Sequence, residues 1–260
     1  MRKALVVLSG GQDSTTCLFW AKHQFDEVHA ITFDGQRHKA ELKAAGLVAC
    51  LADVASHTFV KLGEVLKGSS PLINRDEELD VYTDAADMKA TVGDKTDPSF
   101  VPMRNALFLT VAANHALALG CQTIVTGVCG ADAANFPDCT SGFISAVHYM
   151  INVAIGQEPL LSVEAPFITF TKAQIIELAL RISGAYEALA FTHTAYDGQY
   201  PPTGRDHASL LREQGFLEAG VPDPLVIRAV DEGLMDLPPT VNYLDAMDNS
   251  LLGQSIRKCK

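Results

Sequence analysis

Met1-Arg2-Lys3-Ala4-Leu5-Val6-Val7-Leu8 runs directly into Ser9-Gly10-Gly11-Gln12-Asp13-Ser14, and the architecture turns on that junction. A short apolar run rich in Val and Leu predicts a buried strand. The glycine pair predicts a tight turn, and Asp13-Ser14-Thr15-Thr16 opens a helical stretch continuing through Cys17-Leu18-Phe19-Trp20-Ala21. Glycines let the backbone approach an anion closely, and the amides of a helix start, with the helix dipole behind them, bind phosphate. A Walker-type loop requires G-x-x-x-x-G-K-[ST], and no Lys stands where it should. A lone glycine pair would be an ordinary strand-to-helix turn. Six specific residues between a first strand and a first helix favour nucleotide binding instead. On this reading Leu8, Ser9, Gly10, Gly11, Gln12, Asp13, Ser14 and Thr15 cradle the nucleotide. Ser9, Ser14 and Thr15 bring hydroxyl donors to phosphate oxygens. Asp13 brings carboxylate oxygen for Mg²⁺, a hard cation that bridges phosphates.

Working outward, 260 residues with 48% hydrophobic and 20% charged content fit one sizeable globular domain, with or without an appendage. No apolar stretch is long enough to span a bilayer and the amino terminus enters a strand at once, so the expected address is the cytoplasm. Six cysteines are scattered with no C-x-x-C spacing, which predicts reduced, packed thiols and neither a disulfide framework nor a zinc knuckle. A net charge of −11, from 20 Lys and Arg against 31 Asp and Glu, argues against direct nucleic-acid binding.

Strands are predicted at residues 3–8, 28–33, 57–62, 122–126 and 160–164. Helices are predicted at 14–24, 38–52, 104–119, 139–155 and 172–182, the last with Thr171 as N-cap. This alternation predicts an α/β fold: a doubly wound, Rossmann-like parallel sheet covered on both faces, with ligand at the carboxyl ends of the strands. Residues 67–99 are polar and read as a long loop of the kind that forms a lid. Past residue 190 the pattern becomes Gly, Pro and polar residues, then a helix near 206–218 and a Pro-punctuated tail. The division expected is a nucleotide-binding domain at 1–190 and a helical appendage at 191–260. There is no internal repeat and no low-complexity tract.

S-G-G-x-D-S is the signature of PP-loop ATP pyrophosphatases, which cleave ATP between its α and β phosphates and adenylate a substrate. Within that superfamily the chain resembles the QueC family, the 7-cyano-7-deazaguanine synthases, over nearly its whole length to about Pro224. The family opening is matched by Leu8 to Leu18. Thr32-Phe33-Asp34-Gly35-Gln36-Arg37-His38 is a second match, lacking the Tyr the family usually places between Asp and Gly. Phe100-Val101-Pro102-Met103-Arg104-Asn105 resembles F-V-P-x-R-N. Thr126-Gly127-Val128-Cys129, Asp132 and Phe136-Pro137-Asp138-Cys139 form a fourth block, and Glu164-Ala165-Pro166 with Lys172 a fifth.

The resemblance implies 7-carboxy-7-deazaguanine and ammonia as substrates, ATP and Mg²⁺ as cosubstrate and cofactor, and a homodimer. It implies two activations by ATP, the first giving the amide and the second the nitrile. Asp13, Ser14, Arg104 and Asp132 become the catalytic candidates, Phe33 and Gly127 join the nucleotide loop, and Arg104, Asn105, Asp132 and Lys172 face the substrate. Each has a plainer alternative. Arg104 offers a bidentate fork to phosphate or carboxylate, or a surface ion pair. Asn105 is otherwise an N-cap. Phe33 packs adenine or is core, Asp132 contacts substrate or water, Lys172 contacts an anion or solvent, and Cys129 and Cys139 are packed or reactive thiols.

The chain departs from the family near its carboxyl end. The family carries a zinc site of four cysteines, the last three spaced C-x-x-C-x-x-C. Here Ala195, Thr203, Asp206 and Ser209 stand at those positions. Ala binds no metal and hydroxyls are feeble zinc ligands beside thiolate, so no zinc is expected. A substitute site from His193, Asp206 and His207 has little support from spacing. The loop would then be held by other means, such as packing of Tyr200-Pro201-Pro202 and the tail 237–260. Three functions remain open: the synthase reaction or a variant that stops at the amide or adenylates another carboxylate, a tRNA-modifying or amidotransferase PP-loop activity, and a nucleotide-binding partner protein without turnover.

Overall fold

The computed structural model describes residues 1–35, 39–63, 65–74, 76–158, 160–202 and 204–247. Gln36, Arg37, His38 and Thr203, and the tail beyond 247, therefore lie outside the described residues. Five strands, β1 (Lys3–Val7), β2 (Glu27–Asp34), β3 (Ser56–Lys61), β4 (Thr123–Thr126) and β5 (Ser162–Glu164), form one sheet in the order β3-β2-β1-β4-β5. Every pairing is parallel, with Lys3 opposite Glu27 on one side of β1 and Ala4 opposite Thr123 on the other. The winding therefore reverses between β1 and β4, and a crevice opens above their carboxyl ends.

Alternation along β1 sorts the two cores. Ala4, Val6 and Leu8 face α1 (Gln12–Gln24), α2 (Lys39–Leu51) and α6 (Lys172–Arg181), packing with Leu18, Val48, Ile175 and Ile176. Leu5 faces α4 (Arg104–Leu119) and α5 (Ser141–Ile155), packing with Leu109, Ala112, Ile144 and Val147. This is the doubly wound α/β sheet expected, with strand centres right and ends shifted by a residue or so.

Two expectations need correction. Residues 67–99 are not loop throughout: α3 (Ala85–Val92) lies within them, started by the Asp84 carboxylate, which accepts from the Ala86 and Asp87 amides. Met88 and Val92 of this helix pack with Tyr82 and with Leu210 of α8 (His207–Ala219), so tertiary burial stabilises a segment whose composition is polar. The predicted helix over 139–155 is split. A 3₁₀ turn covers Pro137–Cys139, and Thr140 then caps α5 by accepting from the Phe143 amide.

The carboxyl-terminal region is helical, as expected, with α7 (Ala185–Ala188), α8 and α9 (Pro224–Asp231). Gly215 brings α8 onto α6: a Cβ there would lie 2.6 Å from the Lys172 Cβ. Arg212 locks the region internally. Its buried guanidinium donates to both Asp223 carboxylate oxygens at 2.5 and 2.7 Å, to the Thr192 and Thr194 hydroxyls, and to the Leu189 carbonyl. Of the tail, Tyr243 accepts from the Asp223 amide through its hydroxyl, and Asn242 donates to the Val221 carbonyl.

Candidate active site at the carboxyl edge of the sheet

A cavity of about 340 Å³ opens above the carboxyl ends of β1, β2 and β4. The loop after β1 forms its floor. Gly10 takes φ +89°, and a Cβ on it would come within 2.6 Å of the Ala45 amide nitrogen, so α2 presses on the loop and only glycine fits. Ser9 and Ser14 brace the turn, their hydroxyls 2.9 Å apart, with the Ser9 amide donating to the Ser14 hydroxyl. Gly11 is the N-cap of α1 and supplies no side-chain acceptor. The first-turn amides are thus presented to the cavity together with the positive end of the helix.

Polar atoms left without partners mark where a ligand belongs. Gln12 is buried, lines the cavity, and has neither its carbonyl oxygen nor its amide nitrogen bonded; Asp13 Oδ1 is likewise unpartnered. Unpaired buried polar groups cost free energy, which a polar ligand recovers. Thr15 departs from expectation. It is fully buried and does not line the cavity, because one residue of helix turns the side chain about 100° away from the direction of Ser14. Gly127 also has a packing role: a Cβ there would meet the Ser14 nitrogen at 2.9 Å, so its absence lets β4 lie against the first turn of α1.

Phe33 lines the cavity and stacks on Phe108 of α4, ring centroids 4.4 Å apart and planes 12° from parallel. The pair presents a flat aromatic wall beside the loop. Sequence reading found Phe33 and missed Phe108, whose phase on α4 carries the signal.

Three predicted residues meet at one point. Lys172, the first residue of α6, places Nζ 2.7 Å from Asp13 Oδ2, 3.0 Å from Asp132 Oδ1 and 3.2 Å from Cys129 Sγ. The Cys129 thiol donates to Asp132 Oδ2. Burial pulls the Lys172 ammonium down, but Asp13, Asp132 and Cys129 outweigh it and hold the group charged, well above its usual value. Burial pushes the Asp13 carboxyl up, against Lys172 and in concert with Asp132. Burial also pushes the Cys129 thiol up, so it stays protonated.

Arg104 and Asn105 open α4 at the cavity wall. The preceding Met103 takes the left-handed conformation, φ 66° and ψ 1°, a strained geometry for a residue with a side chain. Asp138 lies behind them, buried; burial raises its carboxyl, opposed by the charge of Arg104 and hydrogen bonds from Asn105. Asp138, part of the fourth family block, is thus a supporting residue behind Arg104 and Asn105.

The family model for "Queuosine biosynthesis protein QueC" matches residues 3–220. The chain belongs to the QueC family. Among curated QueC relatives, the 7-cyano-7-deazaguanine synthase of Gloeobacter violaceus is 46% identical over 229 residues, 86% of this chain and 96% of that protein. The synthase of Laribacter hongkongensis is 44% identical over 227 residues, covering 86% and 94%. That of Chromobacterium violaceum is 41% identical over 241 residues, covering 88% and 95%.

In this QueC protein the carboxyl-terminal loop is organised by Asp206. Its carboxylate accepts from the Tyr196 amide, the Ser209 amide and the Ser209 hydroxyl, capping α8, and Ala195 is buried. His193, Asp206 and His207 do not converge. The His193 ring nitrogen lies 2.9 Å from the Ala195 carbonyl, and His207 pairs with Asp97. Among the described residues, the one trio with ligand atoms mutually within 4.8 Å is Asp13, Cys129 and Asp132. Asp13 and Asp132 offer the carboxylate oxygens a Mg²⁺ takes, whereas a protonated thiol suits that ion poorly.

Proposed function

We propose that this QueC protein is an ATP-dependent carbon–nitrogen ligase converting 7-carboxy-7-deazaguanine and ammonia to 7-cyano-7-deazaguanine in queuosine biosynthesis. One observation carries the reading: in a chain of this family, the phosphate-cradling loop shares a single cavity with Arg104, Asp132 and Lys172. A carboxylate is a poor electrophile and needs a leaving group. The loop amides, Ser9 and Ser14 hold the ATP phosphates, and Lys172 and Arg104 neutralise charge as the substrate carboxylate attacks the α-phosphorus. Phe33 and Phe108 pack the adenine. Asp13 and Asp132 would hold Mg²⁺, which when bound would supply charge neutralisation on the phosphates. Ammonia displaces AMP to give the amide, and a second activation through the amide oxygen leads to the nitrile.

The protein is read as cytoplasmic, as zinc-free, and as a dimer of two copies of this chain. Incubation with ATP, Mg²⁺, ammonium and 7-carboxy-7-deazaguanine, followed by mass spectrometry, tests the function. Nitrile with AMP is expected. The amide as sole product would shorten the reaction to its first half, and no pyrophosphate release would remove the proposal. Elemental analysis of the purified protein is expected to find zinc far below one per chain; one equivalent would overturn the reading of the Asp206 loop.

A further inference from the structure

The groups assigned so far leave one requirement of that reaction unmet. When ammonia attacks an acyl-adenylate, a C–N bond forms and the C–O bond to AMP breaks, its electron pair leaving on AMP. The nitrogen arrives with three hydrogens and keeps two in the amide, so one proton must go to a base. Lys172 is held as an ammonium and has no lone pair. Arg104 has none either. Asp13 and Asp132 pair with Lys172 through one oxygen or more and are assigned to Mg²⁺ through the rest.

His207 stands apart from these. It is the first residue of α8, buried, and lines the cavity. Its Nδ1 lies 2.6 Å from Asp97 Oδ2 in an ion-pair contact, and no other group of the described residues hydrogen-bonds either atom. Asp97 is itself fixed: its Oδ1 accepts from the Ser99 amide and hydroxyl, and its own amide donates to the Asn135 carbonyl. The Phe136 ring meets the imidazole edge to face, 88° between planes and centroids 5.7 Å apart. Rotation of the imidazole is thereby blocked. A carboxylate on Nδ1 selects the tautomer with its hydrogen there and leaves the lone pair on Nε2. Nε2 has no hydrogen-bond partner among the described residues, and the residue lines the cavity.

We propose that His207, oriented by Asp97, is the base that takes the surplus proton from the ammonia nitrogen as AMP departs. The inference rests on the synthase reading above. In the second half the nitrogen sheds both remaining hydrogens. One goes to solvent as the amide oxygen attacks the α-phosphorus and the nitrogen lone pair becomes the second C–N bond. The other goes to His207 as the N–H electron pair becomes the third C–N bond while the C–O pair leaves on AMP. Asp97 favours the imidazolium so formed, and the amino-terminal end of α8 opposes it. Asp80, Tyr82, Tyr196 and Asp206 surround the back of the ring, with Arg104 and Asp132 across the main cavity.

The test separates adenylation from proton transfer. Exchange of labelled pyrophosphate into ATP, dependent on 7-carboxy-7-deazaguanine, reports the first; single-turnover amide formation reports the second. His207→Gln is expected to keep exchange within a few-fold and to slow amide formation by roughly 10²–10⁴-fold, the range of general-base catalysis. The wild-type amide step is expected to rise with pH along a limb that His207→Gln lacks. Asp97→Asn is expected to move that limb to lower pH, because the carboxylate that favours the imidazolium is gone; a purely structural role would leave the profile in place. Amide formation unchanged in His207→Gln, or falling in step with exchange, overturns the proposal. If His207→Gln fails to fold, an unmoved profile in Asp97→Asn overturns it instead. Absence of exchange in the wild type would sink the synthase reading, a result distinct from either.

Discussion

At the scale of single residues, the site is governed by one cation among acids. Lys172 compensates Asp13 and Asp132, and even so the Asp13 carboxyl stands above its ordinary value. Lys172→Met would leave the two carboxylates without the ammonium they share, raising the Asp13 carboxyl further. A carboxyl raised in the folded state stabilises below its unfolded value and loses that contribution as pH rises. The Met variant should therefore be about 3 kcal/mol less stable than wild type near neutrality, the deficit shrinking on acidification. Denaturant melts at several pH values check this; a deficit independent of pH would contradict it. Asp13→Asn keeps an acceptor for Lys172 while removing a carboxylate that burial disfavours. It should abolish pyrophosphate exchange with no fall in melting temperature, whereas surviving exchange would free Asp13 from its assigned role.

At the scale of elements, legibility followed the range of the forces involved. The β1–α1 loop could be read because strand pattern, turn and helix start are encoded within a few consecutive residues. Thr15 was misplaced because composition says that a hydroxyl is present and not which way a helix turns it. The α3 helix was missed because its stability comes from Met88 and Val92 meeting Leu210 of α8, a contact no local pattern shows. Asp97 with His207 and Asp138 with Arg104 were invisible for the same reason: each joins segments distant in sequence. The Asp206 loop was legible as a departure from the family pattern, yet the way Asp206 organises it was not. In the structure a carboxylate gathers three donors, and Arg212 cross-braces α8 to the residues before α9. Arg212→Met leaves Asp223 buried without its partner and should cost about 3–5 kcal/mol by denaturant unfolding. A loss under 1 kcal/mol would mean that the loop is held elsewhere.

For the molecule as a whole, the distribution of charge bears on where two copies would meet in the proposed dimer. In an isologous contact one patch meets a second copy of itself, and residues near the two-fold axis face their own copies, so a chain of net charge −11 pairs best across an uncharged face. The α5 helix has no Asp, Glu, Lys or Arg along its length. Gly142, Ser145 and Ala146 are exposed on its outer side, and Tyr149, Met150 and Val153 stand 72%, 41% and 61% exposed. Small residues at one end let two such helices approach closely, and the larger ones bury apolar area worth roughly 25 cal/mol per Å². The helix also grows directly out of the turn carrying Asp138, so a partner on α5 would steady the wall that holds Arg104. Light scattering should accordingly find a dimer for the wild type and a folded monomer for the Tyr149→Glu, Val153→Glu double variant, because desolvating two pairs of facing carboxylates outweighs the remaining apolar contact. Leu47→Glu, at an exposed apolar position on α2, should stay dimeric. A monomeric wild type, or a double variant that dimerises as before, would remove α5 as the interface.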